Sequence, residues 1–143
     1  MTPKWILDTD HMSLLEWGSD EAAQLRERLA DCDEGEVATT IINYEEQVRG
    51  WMAYLARARS LAKQVEAYGR LRSHLENYRR IPVLDFDGKA ADVYEELRRS
   101  RVRVGAMDLK IAAIVISLDA TLLSRNKRDF AKVPDLKLED WTV

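Results

Sequence analysis

Four carboxylates stand at the tips of apolar segments in this chain. Asp8 follows Trp5-Ile6-Leu7, Glu46 lies near the start of a long helical stretch, Asp108 interrupts the run from Ala106 to Leu118, and Asp129 comes shortly after Thr121-Leu122-Leu123. An ionised side chain beside apolar surroundings is costly unless it is paired or bound to a metal. Cys32 is the only cysteine and there are 2 histidines, so no His/Cys cluster accompanies these acids. An all-oxygen donor set favours Mg²⁺ or Mn²⁺. Carboxylates remote in sequence that share such an ion suit metal-assisted phosphate chemistry.

Basic residues are clumped beside two of the acids. Arg98, Arg99, Arg101 and Arg103 precede Asp108, and Arg125, Lys127 and Arg128 precede Asp129. Solvated helix ends would look the same, but a phosphate substrate needs cations at these places. Arg70, Arg72, Arg79 and Arg80 read instead as the exposed face and end of a long helix. The net charge of −3 argues against a protein that coats nucleic acid by bulk electrostatics.

Positioning these groups requires alternating strands and helices. Trp5-Ile6-Leu7 reads as a strand ending at Asp8, and His11 to Gly18 as one or two helical turns. Ser19 or Asp20 can cap a following helix that carries Ala22, Leu25 and Leu29 at helical spacing. Val37-Ala38-Thr39-Thr40 is β-favouring. From Ile41 to about Tyr78 no proline occurs, and Val48, Met52, Leu55, Leu61, Val65, Leu71 and Leu75 fit a 3.6-residue period broken near Ala56–Ser60. Two helices, as a long hairpin, account for this. Ile81-Pro82-Val83-Leu84 is a third strand, with proline tolerated at its start. Asp85 or Asp87 caps the next helix, through Leu97. Gly105 opens the most apolar helix, Thr121–Ser124 is the fourth strand, a short helix spans Asn126–Ala131, and Leu136-Lys137-Leu138 is an edge strand.

Strands separated by helices imply an α/β fold, a three-layer α/β/α sandwich with a mainly parallel sheet of four or five strands. The length of 143 residues suits one domain, residues 1–143, able to bury roughly 68% of its unfolded surface. No segment approaches the ~20 apolar residues of a membrane span, and the N-terminal stretch is too short and too interrupted for a signal peptide; a cytoplasmic protein is expected. In open α/β sheets ligands bind beyond the carboxyl ends of the strands. Asp8, Glu46 and Asp129 reach that crevice by this rule, and Asp108 does so if its helix starts there.

In their order and spacing, Leu7-Asp8-Thr9-Asp10, Glu45-Glu46-Gln47-Val48-Arg49-Gly50-Trp51, Gly105-Ala106-Met107-Asp108-Leu109-Lys110-Ile111 and Leu122-Leu123-Ser124-Arg125-Asn126-Lys127-Arg128-Asp129-Phe130 resemble the PIN-domain ribonucleases. Within them they resemble the VapC-type toxins of toxin–antitoxin pairs. The resemblance covers essentially the whole chain. It implies a PIN-like fold and an Mg²⁺- or Mn²⁺-dependent endoribonuclease. Asp8 and Asp108 would be the principal metal ligands, joined by Glu46 (Glu45 being the neighbouring alternative) and Asp129, with catalysis at the same residues. Ser124, Arg125 and Asn126 would position the substrate. The implied partners are an RNA substrate, a VapB-type antitoxin laid over the site, and a second copy in a homodimer. Trp17, Trp51, Tyr54, Met12 and Met52 could line the antitoxin groove, although at helical spacing such residues are more often core.

Two positions depart from the family pattern. Asp10 stands where Asn is common, adding a negative charge near the metal, and Ser124 stands where Thr is usual, keeping the hydroxyl. Three other readings compete. Asp8-Thr9-Asp10 also resembles the nucleophile motif of haloacid-dehalogenase phosphatases, with Asp8 phosphorylated. A receiver-like domain would use Asp8, Asp10 and Asp85, and a non-catalytic PIN-like module would only bind RNA or a partner.

Overall fold

The computed structural model describes residues 2–143. Five strands form one sheet: β1 (Trp5–Leu7), β2 (Val37–Thr40), β3 (Val83–Leu84), β4 (Thr121–Leu123) and β5 (Lys137–Glu139). Their order is β3-β2-β1-β4-β5 and every neighbouring pair is parallel. Among the described residues the α-helices are α1 (Thr9–Trp17), α2 (Ala23–Ala30), α3 (Ile41–Arg57), α4 (Leu61–Tyr78), α5 (Gly88–Arg99), α6 (Ala106–Ser117) and α7 (Lys127–Phe130). The expected α/β/α sandwich is therefore present, with a fully rather than mainly parallel sheet.

Strand alternation divides the core. Ile6, Ala113 and Leu122 pack on one side of the sheet with α5 and α6, whereas Leu7, Leu123, Met12, Leu25, Tyr78 and Trp141 form the cluster on the other. Helix α6 is apolar almost all round, and Leu109 and Ile111 to Val115 are all buried. Such a helix belongs inside a layer rather than on its surface.

Several boundaries differ from the sequence reading for local reasons. Helix α1 begins at Thr9, with Asp8 at its cap position, and not at His11. A 3₁₀ turn, Asp20–Ala22, precedes α2, and the Ser19 side chain makes no capping bond. Strand β3 is shorter than expected because Pro82 lacks an N–H, although its carbonyl still accepts from Thr39. Strand β4 ends at Leu123, and β5 is displaced by one residue. The hairpin break lies where expected, with Ser60 accepting from the Lys63 N–H to start α4. Asp87, not Asp85, caps α5. Among the described residues no helix is long and apolar enough to cross a membrane.

This topology fixes where a ligand can sit. The chain moves outward from β1 to β2 and β3, then crosses back to β4 and β5 on the other side. The order reverses between β1 and β4, so the crevice lies beyond their carboxyl ends. Asp8 and Ser124 are the first residues past those two strands.

Candidate active site

Asp8 occupies the cap position of α1, yet its side chain caps nothing in that helix. Its N–H is held by the Leu123 carbonyl at 2.9 Å, which pins β1 to β4 at the crevice. Asn43 Nδ2 donates to Asp8 Oδ1 at 2.8 Å, and the Ser124 hydroxyl donates to Oδ2 at 2.7 Å. Asp8 is 6% exposed. Burial pushes its pKa up to about 6, and the Asp10 charge adds to this while the bonds from Ser124, the Thr9 N–H and Asn43 oppose it.

Asn43 is itself held in place. It lies in the first turn of α3, where Thr40 caps the helix by accepting the Asn43 N–H. Asn43 Oδ1 accepts the Thr40 hydroxyl at 2.7 Å, and its amide also reaches Thr9 Oγ1 at 3.0 Å. Thr39 donates to the Leu7 carbonyl at 2.7 Å. Asn43, Thr39, Thr40 and Ser124 are all fully buried. A satisfied buried network of this kind specifies one geometry, and a partly satisfied one is costly.

Glu46 lies one helical turn beyond Asn43, on the same side of α3. It accepts from the Thr9 hydroxyl at 3.4 Å. Burial raises its pKa to about 6, helped by the charges of Asp8 and Asp108 and, more weakly, Asp10. Glu45, a rotation of ~100° away, turns outward to Arg49 at 3.0 Å. Asp108 lies in the first turn of α6. Its pKa is raised by burial and then by Asp129. A simple first-turn acid would move the other way, since helix amides favour the charged form. Asp129 receives the Asn126 side-chain amide at 3.3 Å and lies 3.8 Å from Lys132.

Four separate segments are thus linked in sequence: Glu46 feels the charges of Asp8 and Asp108, and Asp108 feels that of Asp129. Each of these acids is able to donate oxygen to a hard cation. Among the described residues, however, no three His, Cys, Asp or Glu side chains are drawn close enough to enclose an ion.

The other expected site residues fall differently. Ser124 is buried and committed to Asp8, so its hydroxyl orients a carboxylate instead of facing a substrate. Arg125 is exposed, 3.6 Å from Glu21. Asn126 caps α7 by accepting the Asp129 N–H. Arg98 lies over the Tyr94 ring near Glu95. Met12 is buried and cannot line a groove, whereas Trp17 and Met52 are exposed. Arg70 is no free surface cation, because it stacks 3.8 Å from the Trp17 ring centroid. A cavity of about 490 Å³ lined by Leu7, Leu15, Leu29, Cys32 and Val37 is mostly apolar and contains none of the four acids.

Thr9 and Asn43 were not singled out from the sequence. The available signal was the Asn43-x-x-Glu46 spacing, which places both side chains toward the end of β1.

The family model for the PIN domain matches residues 6–136. Over 66 residues the chain is 36% identical to ribonuclease VapC2 of Rickettsia felis, a match covering 43% of this chain and 49% of that protein. It is 35% identical over 66 residues to the tRNA(fMet)-specific endonuclease VapC of Salmonella typhimurium, covering 43% and 50%. The chain spans about half the length of the curated relatives it matches. Similarity to solved structures is more extensive. VapBC2 from Rickettsia felis bound to a promoter DNA fragment superimposes with a TM-score of 0.71 at 26% identity, covering 96% of this chain and 98% of that one. DNA-bound VapBC from Salmonella typhimurium gives a TM-score of 0.76 at 25% identity, covering 97% and 98%.

Proposed function

The chain belongs to the PIN-domain family, and we propose that it is an Mg²⁺- or Mn²⁺-dependent endoribonuclease toxin restrained by an antitoxin protein. The observation that carries this reading is the buried, hydrogen-bonded Asp8 at the reversal point of the sheet, with Glu46 on the Asn43 side of α3 close enough to feel the charges of both Asp8 and Asp108. The ribonuclease relatives and the VapBC structures support the same activity and the same kind of partner. A homodimer is part of the proposal by family likeness.

The donor set fits the cation. A carboxylate has about four lone-pair sites, and Asn43 and Ser124 use one on each oxygen of Asp8, leaving room for an ion. Asp8 and Asp108 would be the main ligands, with Glu46 and Asp129 completing the acidic ring. When bound, Mg²⁺ or Mn²⁺ supplies Lewis acidity toward the phosphodiester and a water of lowered pKa.

The chain's own groups divide the remaining work. Asn43 and Ser124 hold Asp8 in one rotamer. Arg125 is exposed beside the crevice and suits a phosphate of single-stranded RNA, with the Asn126 amide next to it. The phosphatase and receiver readings leave Glu46 and Asp108 without a role.

The test is cleavage of labelled single-stranded RNA by purified protein with Mg²⁺, with Mn²⁺ or with EDTA. Cleavage should require the cation and disappear in Asp8→Asn and Asp108→Asn. RNA binding without cleavage under every condition would support the non-catalytic module, and phosphorylation of Asp8 by a small phosphodonor would support the phosphatase.

A further inference from the structure

Asp10 carries a formal charge two residues from Asp8, yet its oxygens are already engaged. Oδ1 lies 2.6 Å from His11 Nδ1. Oδ2 accepts the Arg125 N–H at 2.9 Å and lies 3.3 Å from the Ser124 hydroxyl. His11 is fully buried. Its other nitrogen, Nε2, accepts the backbone N–H of Trp141 at 3.2 Å. A ring nitrogen that accepts cannot also carry a proton, so the proton sits on Nδ1 and points at Asp10. Asp140 Oδ1, which already accepts from the N–H and the hydroxyl of Thr142, stays 3.8 Å from Nε2.

The far end of this chain of bonds is firmly seated. Trp141 is buried, its ring 4.7 Å from that of Trp5, with Arg28 stacked 4.6 Å above it. The Glu139 carbonyl, in the same C-terminal segment, accepts the Ser124 N–H at 2.9 Å. The Ser124–Arg125–Asn126 turn is thus gripped from both sides.

The direction of the bonds explains the residue type. Both neighbours of Asp10, His11 Nδ1–H and Arg125 N–H, are donors. An aspartate offers an acceptor oxygen to each, whereas an asparagine offers one oxygen and would set its NH₂ against the other donor. His11 cannot relieve this by moving its proton, because Nε2 is held as an acceptor by Trp141. Asp10 and His11 are therefore a matched pair.

We infer that Asp10 and His11 are positioning residues, coupling the C-terminal segment at Trp141 to the turn that presents Arg125. The part that concerns RNA rests on the ribonuclease reading above; the coupling itself does not.

The experiment compares wild type with Asp10→Asn, His11→Leu and His11→Gln. Glutamine keeps one N–H donor and one oxygen acceptor and serves as the conservative rescue. Three quantities are measured: amide exchange at Arg125 and Trp141 by NMR, affinity for a fluorescent single-stranded RNA in EDTA, and Mn²⁺ affinity by calorimetry without RNA. In Asp10→Asn the Arg125 amide should exchange about tenfold faster and RNA binding should weaken about fivefold, the scale of one lost hydrogen bond. His11→Leu should speed exchange at both Arg125 and Trp141, and His11→Gln should restore both. Mn²⁺ affinity should fall by less than in Asp8→Asn, because Asp8 keeps its donors Asn43 and Ser124.

A tenfold loss of Mn²⁺ affinity in Asp10→Asn with Arg125 still protected would make Asp10 a ligand and overturn the inference. So would His11→Leu freeing Trp141 while Arg125 stays protected. If His11→Leu fails to fold, Asp10→Asn and His11→Gln decide the same question. If wild type binds no RNA, the ribonuclease reading falls, and the paired exchange at Arg125 and Trp141 still decides the coupling.

Discussion

At the carboxyl ends of β1 and β4 the chain buries polar groups, and along the outer face of α4 it exposes apolar ones. Asp8, Thr39, Thr40, Asn43 and Ser124 are sealed in a network whose members satisfy one another. Leu61, Val65 and Tyr68 lie open on α4, at 78%, 71% and 59% exposure. The hairpin helix is held to the body by specific ties: His74 Nδ1 to Glu16 at 2.6 Å, the Asn77 amide to the Met12 carbonyl at 3.0 Å, and Tyr78 hydroxyl to Gln47. Burying ionisable carboxylates opposes folding, so the crevice holds its geometry at the expense of stability. The hairpin ties hold a scaffold in place and carry no chemistry. Substitutions in the crevice should therefore move activity more than stability, and substitutions in the hairpin should do the reverse.

The largest effect is expected at Asp8. Asp8→Asn should lower cleavage about 1,000-fold, comparable with removing a main transition-state stabiliser. The same change should stabilise the metal-free protein at pH 7. The Asp8 pKa rises on folding from 3.8 to about 6, so between those values the folded state binds more protons than the unfolded one. Stability then falls as pH rises through that window, by on the order of 3 kcal/mol for this group. Denaturant titrations in EDTA should show wild type losing stability from pH 4 to pH 7 more steeply than Asp8→Asn. Glu46 adds in the same direction, with a smaller weight because it is only half-buried.

The converse test lies in the hairpin. His74→Ala leaves the buried Glu16 carboxylate without its partner, which should cost about 3 kcal/mol in chemical denaturation. Cleavage per folded molecule should stay within about threefold of wild type, since no crevice group is removed. A large loss of kcat without a loss of stability would break the contrast between the two regions.

Asn43→Ala tests whether holding Asp8 matters as much as Asp8 itself. It strands the Thr40 hydroxyl and removes one donor from Asp8. Activity should fall about 10–100-fold, the usual cost of losing a partner that orients a ligand, and stability should fall by about 1–3 kcal/mol. The smallest effect is expected at Val65→Ser, where thermal denaturation should register within about 0.5 kcal/mol because the side chain is already open to solvent.

Much of this contrast was legible in the sequence. A carboxylate directly after a short apolar strand marks a sheet end, and Asp8 lies there; the apolar run around Asp108 demands a buried helix, and α6 is one. The break between α3 and α4 followed from a change of period near Ser60. Partnerships across the sheet were less visible. Asn43 reads locally as a residue of a helix start, and only the fold brings its amide to Asp8, 35 residues away. The His11–Trp141 bond joins residues 130 positions apart and has no local signature. The groove implied by the resemblance grouped Met12 with Trp17 and Met52, because residue type does not say which side of a helix is covered; Met12 is buried. Arg70 looked like a solvated cation because stacking on Trp17 depends on how α1 and α4 meet.

The most direct measurement of the central proposal, that carboxylates remote in sequence share one divalent cation, is calorimetric titration of Mn²⁺ into wild type, Asp8→Asn and Asp108→Asn at pH 7. Both substitutions should weaken binding by about tenfold or more, although Asp8 follows β1 and Asp108 lies on α6, and neither loss should unfold the protein. Mn²⁺ affinity in Asp108→Asn equal to that of wild type would contradict a shared site.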